Sequence, residues 1–259
     1  MTDHSVLTKK FSDRVSPRFL KTNYADPIAY RHIEGEGPLI LWLGGFRSDM
    51  KGGKIDALAT QAEALGHGFL CFDYYAHGET GGDWDKARIG RWLDNALSVV
   101  DHLTTGPLVV IGSSMGGWLA CLVQKHRPER VKSLGLVAPA ADFIDCLIKE
   151  KMTPEEALNL KRSGTHVMNS FDGPVHLSQA VFDEAVQHNV LTSPLMLSGK
   201  VRILHGLMDD VVPVDHVVRL FSHIQSSDSR LLIIKDADHR LSEPSDLEAL
   251  KALVIDLRA

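Results

Sequence analysis

Short apolar runs alternate with helix-length amphipathic segments along most of the chain, and that alternation admits few folds: chiefly a parallel-rich sheet with helices on both faces. The runs PLILWLG (38–44), GFLCFDY (68–74), PLVVIGS (107–113), VKSLGLVAP (131–139), KVRILHG (200–206) and RLLIIKD (230–236) read as buried strands. RFLKT near 18–22 and IAYRHIE at 28–34 read as an antiparallel opening pair. Between strands, KIDALATQAEALG sets Ile55, Leu58, Ala62 and Leu65 at helical spacing, and IGRWLDNALSVVDHL does so with Ile89, Leu93, Ala96, Val100 and Leu103. GGWLACLVQKHRP continues as a helix directly from a strand. The 259 residues therefore fit one doubly wound α/β domain.

One stretch breaks the alternation. Residues 141–199 read as helices with no strand between them: DFIDCLIKEK, TPEEALNLKRSG with Thr153 as N-cap before Pro154, and HLSQAVFDEAVQHNVL. The expected organisation is a core of residues 1–140 and 200–259 with a helical insertion at 141–199. At that point in the sheet the insertion would lie over the carboxyl ends of the strands, where open α/β folds bind ligands, and so would act as a lid. A packed surface ornament is the plainer alternative.

The chemistry concentrates at VVIGSSMGGWLA (109–120), where Gly112, Ser114 and Gly116 form G-x-S-x-G at a strand-to-helix junction. A serine on so sharp a turn needs small residues two positions before and after it, or the turn cannot close. Ser113 is not flanked in that way. A serine hydroxyl is a poor nucleophile at neutral pH and needs an imidazole to take its proton and a carboxylate to orient that imidazole. In this topology the partners follow in the order acid, then histidine, each after a later strand. HGLMDDVVP supplies Asp209 and DADHRL supplies His239. Asp210 reads as a solvated neighbour, and Asp142 and Asp145 as remote alternative acids. Among the 13 histidines the nearest rival is His205, but it would put base and acid on one strand end. Backbone N–H groups of Met115 and Phe46 are the expected oxyanion donors, with Gly44 and Gly45 allowing close approach of the loop and the Phe46 ring lining an acyl pocket. A plain strand-to-helix turn is the alternative for those glycines.

Charge and cysteine usage narrow the partners. A formal charge of −5 with scattered Lys and Arg gives no footprint for nucleic acid or anionic lipid, which leaves small-molecule or acylated substrates. Cys71, Cys121 and Cys146 are an odd number without paired spacing and read as reduced packing residues. H-E-x-x-H and Cys/His clusters do not occur, so neither a metal nor an organic cofactor is expected. The N-terminal segment carries no apolar core of signal length, Asp3 and Asp13 argue against a transit peptide, and no apolar stretch reaches membrane-spanning length. The expected location is the cytoplasm; the oligomeric state is open.

With these residues in place the chain resembles the α/β-hydrolase-domain family over nearly its full length. That family often carries an F-D-Y-x-G-H-G-x-S segment, which here reads FDYYAHGET at 72–80. IGSSMGGWL, HGLMDDVVP and DADHRL together are similar to its mitochondrial thioesterase and acyl-glucuronide esterase branch, without a mitochondrial presequence, as in a bacterial relative. The resemblance implies serine hydrolysis of thioesters or activated esters, with Ser114, Asp209 and His239 in the triad roles. Carbon–carbon bond hydrolysis on the same triad and a non-catalytic binding protein of the same fold are the rival readings.

Overall fold

The computed structural model describes residues 9–23, 26–170, 173–197 and 199–258. Residues 1–8, which carry part of the targeting expectation, lie outside them. The chain opens with a short helix α1 (Phe11–Arg14), the strands β1 (Arg18–Leu20), β2 (Ile28–Ile33) and β3 (Leu39–Leu43), helix α2 (Gly53–Ala64) and strand β4 (Phe69–Phe72). Helix α3 (Ile89–Leu103), β5 (Leu108–Ser113), α4 (Met115–His126) and β6 (Val131–Val137) follow. A long excursion holds α5 (Pro154–Ser163), β7 (Thr165–Ser170), β8 (Gly173–Ser178), α6 (Gln179–Ala185) and the two-residue β9 (Leu195–Met196). The chain then returns through β10 (Lys200–Gly206), α7 (Val214–His223), β11 (Ile224–Gln225), β12 (Ser229–Ile234) and α8 (Pro244–Arg258).

Eight strands form one sheet in the order β1-β2-β4-β3-β5-β6-β10-β12. β1 and β2 pair antiparallel, β2 joins β4 antiparallel, and the rest run parallel, as the apolar runs and the opening pair predict. Alternation along each central strand divides the core in two. Leu41, Leu43, Leu70, Phe72, Leu108 and Val110 point to the face covered by α3 and α4, where Trp92 and Trp118 are fully buried. Ile40, Trp42, Phe69, Cys71, Val109 and Ile111 point to the other face, against Ile55 and Leu58 of α2 and Leu250, Leu253 and Leu257 of α8.

Two sequence expectations need correction. RLLIIKD is a strand but not a buried one: β12 is the sheet edge, and Leu232 and Ile233 are exposed. An apolar run reports β propensity, not the presence of a neighbour on both sides. The 141–199 excursion is not purely helical, because β7 and β8 form an antiparallel hairpin registered from Thr165 opposite Ser178 to Ser170 opposite Gly173. Val175 and Leu177 point inward while Pro174 and His176 are exposed, so the period there is two and the helix begins only at Gln179. The expected start of α5 holds: Thr153 Oγ accepts the Glu156 N–H while the Glu156 carboxylate accepts the Thr153 N–H, with Pro154 at the first helical position.

Candidate active site

Between the last residue of β5 and the first of α4, Ser114 takes φ 54° and ψ −119°, a conformation costly for any residue with a side chain. The turn is closed by backbone. Ser114 N–H donates to the Val137 carbonyl (2.9 Å), and the Ser114 carbonyl accepts from Gly117 (2.9 Å) and Ala140 (3.0 Å). A β-carbon on Gly112 would lie 2.1 Å from the Gly116 carbonyl oxygen, and one on Gly116 would lie 2.1 Å from that of Leu43. Both glycines of G-x-S-x-G are therefore required by contact with backbone, which cannot step aside.

Two further loops bring polar groups to this serine. Asp209 lies in the turn between β10 and α7, and its Oδ1 accepts the N–H groups of Val211 (2.9 Å) and Val212 (2.8 Å). Its Oδ2 accepts from His239 Nδ1 at 2.7 Å, and His239 Nε2 stands 3.1 Å from Ser114 Oγ. The carboxylate can only accept, so Nδ1 carries the proton and Nε2 presents its lone pair to the hydroxyl. The Asp209 side chain has no exposure and that of His239 has 12%. Gly206 lets the two loops cross: a β-carbon there would meet the Ala237 carbonyl oxygen at 2.2 Å, and Met208 N–H donates to that same oxygen (3.0 Å).

The structure separates the alternatives named from sequence. Asp210 is exposed at the cavity rim. Asp142 is buried and accepts the N–H groups of Val190 and Leu191, which ties the end of the excursion to its beginning; Asp145 accepts from Asn189 and pairs with Lys149. Ser113 is buried in the last position of β5. His205 is completely buried behind Asp209 with its Nδ1 3.7 Å from Oδ2, too far for a hydrogen bond, and burial pushes its pKa down. Cys71, Cys121 and Cys146 are free thiols; burial pushes Cys121 up to about 12 and raises the other two, so none is a ready thiolate.

Phe46 and Met115 flank the serine. The Met115 amide opens α4 and so has no acceptor within its helix. A β-carbon on Gly45 would lie 3.5 Å from Ser114 Cβ, which places Gly45 in the loop after β3 beside the Ser114 side chain. The Phe46 ring packs edge-on against Trp84, Trp92 and Phe143 at 5.3, 6.0 and 5.7 Å. Sequence reasoning gave no role to His77, whose Nε2 lies 3.0 Å from the Arg47 nitrogen; the only signal was its place in the FDYYAHGET segment.

Ser114 and His239 line a cavity of about 840 Å³. Apolar walls come from Phe46 and Phe143 and from Leu147, Ile148, Met152 and Met168 of the excursion. Polar walls come from Lys51, Lys54 and Arg240, where the Lys54 ammonium donates to the Arg240 carbonyl. Among the described residues no group of three or more His, Cys, Asp or Glu side chains could hold a metal ion, and no helix is long and apolar enough to cross a membrane.

The sheet order and the serine on a strained strand-to-helix turn define the α/β-hydrolase fold, and the chain is an enzyme of the serine-hydrolase class. It belongs to the family described as "Serine aminopeptidase, S33", which matches residues 44–203. It is 32% identical over 248 residues to the mitochondrial palmitoyl-protein thioesterase ABHD10 of Homo sapiens, an alignment covering 94% of this chain and 80% of that protein. The structure of mouse ABHD10 superposes with a TM-score of 0.88 at 31% identity, covering 93% of this chain and 98% of that one. A protein from Agrobacterium vitis described as a hydrolase superposes with a TM-score of 0.89 at 31% identity, covering 95% and 98%.

Proposed function

We propose that Ser114, His239 and Asp209 form a catalytic triad that hydrolyses carboxylic esters or thioesters through an acyl-enzyme. The observation that carries this reading is the unbroken chain from Asp209 Oδ2 through both imidazole nitrogens to Ser114 Oγ, at 2.7 and 3.1 Å. Ser114 Oγ attacks the acyl carbon as its proton passes to His239 Nε2, and the carbonyl electron pair moves onto oxygen. The amides of Phe46 and Met115 receive that oxyanion. Its collapse expels the thiolate or alkoxide, which takes the proton from Nε2. Water then repeats the sequence on the acyl-enzyme and frees the acid.

Two features favour an acyl substrate. The walls contributed by Phe46, Phe143, Leu147 and Met168 are apolar, and the human relative ABHD10 is named as a palmitoyl-protein thioesterase. We read the 141–199 excursion as a lid on the grounds that Phe143, Leu147, Ile148, Met152 and Met168 line the cavity from it. Three free thiols fit a reducing compartment such as the cytosol.

Purified protein should turn over acyl-thioesters and p-nitrophenyl esters, and a fluorophosphonate should label it once. Ser114→Ala should abolish labelling and lower kcat by about 10⁴-fold or more. Turnover of neither substrate class, or equal labelling of the alanine variant, would overturn the assignment.

A further inference from the structure

We propose that His77 is a positioning residue for the oxyanion-binding loop: by accepting the Arg47 amide proton it fixes the Phe46 N–H where negative charge develops in the reaction. The inference rests on the triad reading above and assigns a function to a side chain that touches neither Ser114 nor substrate.

The partners of the imidazole determine which nitrogen holds the proton. His77 Nδ1 lies 3.0 Å from the Tyr75 carbonyl, which can only accept, so Nδ1 donates. Nε2 is then unprotonated and accepts Arg47 N–H at 3.0 Å. Both nitrogens are satisfied in this one neutral tautomer; a second proton would set two donors against each other. The ring is 3% exposed and boxed by Tyr74, Trp84 and Trp92 at centroid distances of 5.6, 5.7 and 5.4 Å. Burial pushes its pKa down to about 4, so the acceptor persists through the neutral range.

The loop needs such an acceptor. Arg47 has φ 58°, a left-handed conformation that is unfavourable for a residue with a β-carbon and persists only where surrounding contacts over-determine it. Two peptide units bracket the Phe46 α-carbon. In the first, the Gly45 carbonyl accepts from Ser48 N–H (3.2 Å) and Ser48 Oγ–H (2.8 Å). A trans peptide directs its N–H opposite to its C=O, so pinning the Gly45 oxygen on the Ser48 side aims the Phe46 N–H away from it. In the second unit, His77 holds the Arg47 N–H. With both planes pinned, the Phe46 amide cannot swing, and a donor aimed before reaction begins needs no reorganisation in the transition state.

The three side chains that test this differ in which nitrogen they imitate. The glutamine oxygen of His77→Gln reaches the Nε2 position and keeps the acceptor; the amide of His77→Asn reaches only the Nδ1 position; His77→Phe keeps ring packing alone. On a p-nitrophenyl ester, Asn and Phe should lower kcat/KM by about 10- to 100-fold, with Gln within about fivefold of wild type. Affinity for a trifluoromethyl ketone, whose adduct carries the oxyanion, should fall in the same proportion. If activity in all three variants instead follows melting temperature, or Gln is no better than Asn, His77 is only structural. Ser114→Ala run alongside separates the outcomes: a dead alanine variant with indifferent His77 variants overturns this proposal alone, and an active one overturns the triad reading and this proposal with it. A measurement that needs no variant is the 15N spectrum of the wild-type imidazole, where a proton on Nε2 at pH 7 would also overturn it.

Discussion

At Gly116 the methyl group of an alanine would have to occupy space 2.1 Å from a carbonyl oxygen of β3, and neither partner is a flexible side chain. Gly116→Ala should therefore cost about 3 kcal/mol or more in urea unfolding and disable labelling of Ser114, whereas Gly53→Ala, whose added carbon would meet only Leu247 Cδ1 at 3.6 Å, should be nearly silent. The pair Asp73 and His77 makes a prediction in pH. Burial raises Asp73 from 3.8 to about 6, so the folded protein keeps a proton that the unfolded chain releases. That stabilisation is complete below pH 3.8 and is lost as pH rises through 6. His77 acts oppositely: with its pKa lowered from 6.5 to about 4, stability is lost as pH falls from 6.5 to 4. In wild type the two slopes, each about 1.4 kcal/mol per pH unit, nearly cancel between pH 6 and 4. Asp73→Asn should unmask the histidine, so that the variant loses about 2 to 3 kcal/mol more than wild type between pH 6 and 4. Parallel urea midpoints for the two proteins across that range would refute the assignment.

Among the elements, Trp84 joins the β7–β8 hairpin to the loop that carries His77. Trp84 Nε1 donates to the His176 carbonyl on β8 (3.0 Å), while the Trp84 ring meets Phe46 edge-on and His77 at a tilt. Trp84→Phe keeps an aromatic ring and removes the donor. Amide exchange in 165–178 should quicken by about fivefold, the equivalent of a neutral hydrogen bond worth roughly 1 kcal/mol, with little change in the sheet. At α5 the reciprocal Thr153–Glu156 cap predicts a local loss of about 1 kcal/mol for Thr153→Ala, read as faster exchange in 154–160. The contrast between these neighbours explains what the sequence discloses. The start of α5 is legible because cap, Pro154 and Glu156 are all local signals. The hairpin is not, because β8 runs into α6 without a breaker, and HLSQAVFDEAV satisfies helical spacing as readily as a two-residue period that lasts only six positions.

For the molecule as a whole, the site is assembled from four segments far apart in the chain: the loop after β3, the turn after β5, and the loops after β10 and β12. If the nucleophile, base and anion donors all come from the chain, excess EDTA should leave ester turnover unchanged, and a loss restored by a divalent cation would contradict the mechanism. The residues that meet here are legible because each stands at a strand end in a compact motif: G-x-S-x-G, H-G-x-x-D and the final D-x-D-H. Local chemistry writes these signals. A turn that needs two glycines, a helix that needs a cap and a strand that alternates are constraints satisfied within a few residues. What covers each surface is settled by contacts distant in sequence, so only the folded chain decided that β12 is an edge, that a hairpin helps wall the cavity and that His77 presents its bare nitrogen to Arg47. Periodicity records which side of an element is apolar; the neighbour that meets that side is chosen by the packing of the whole.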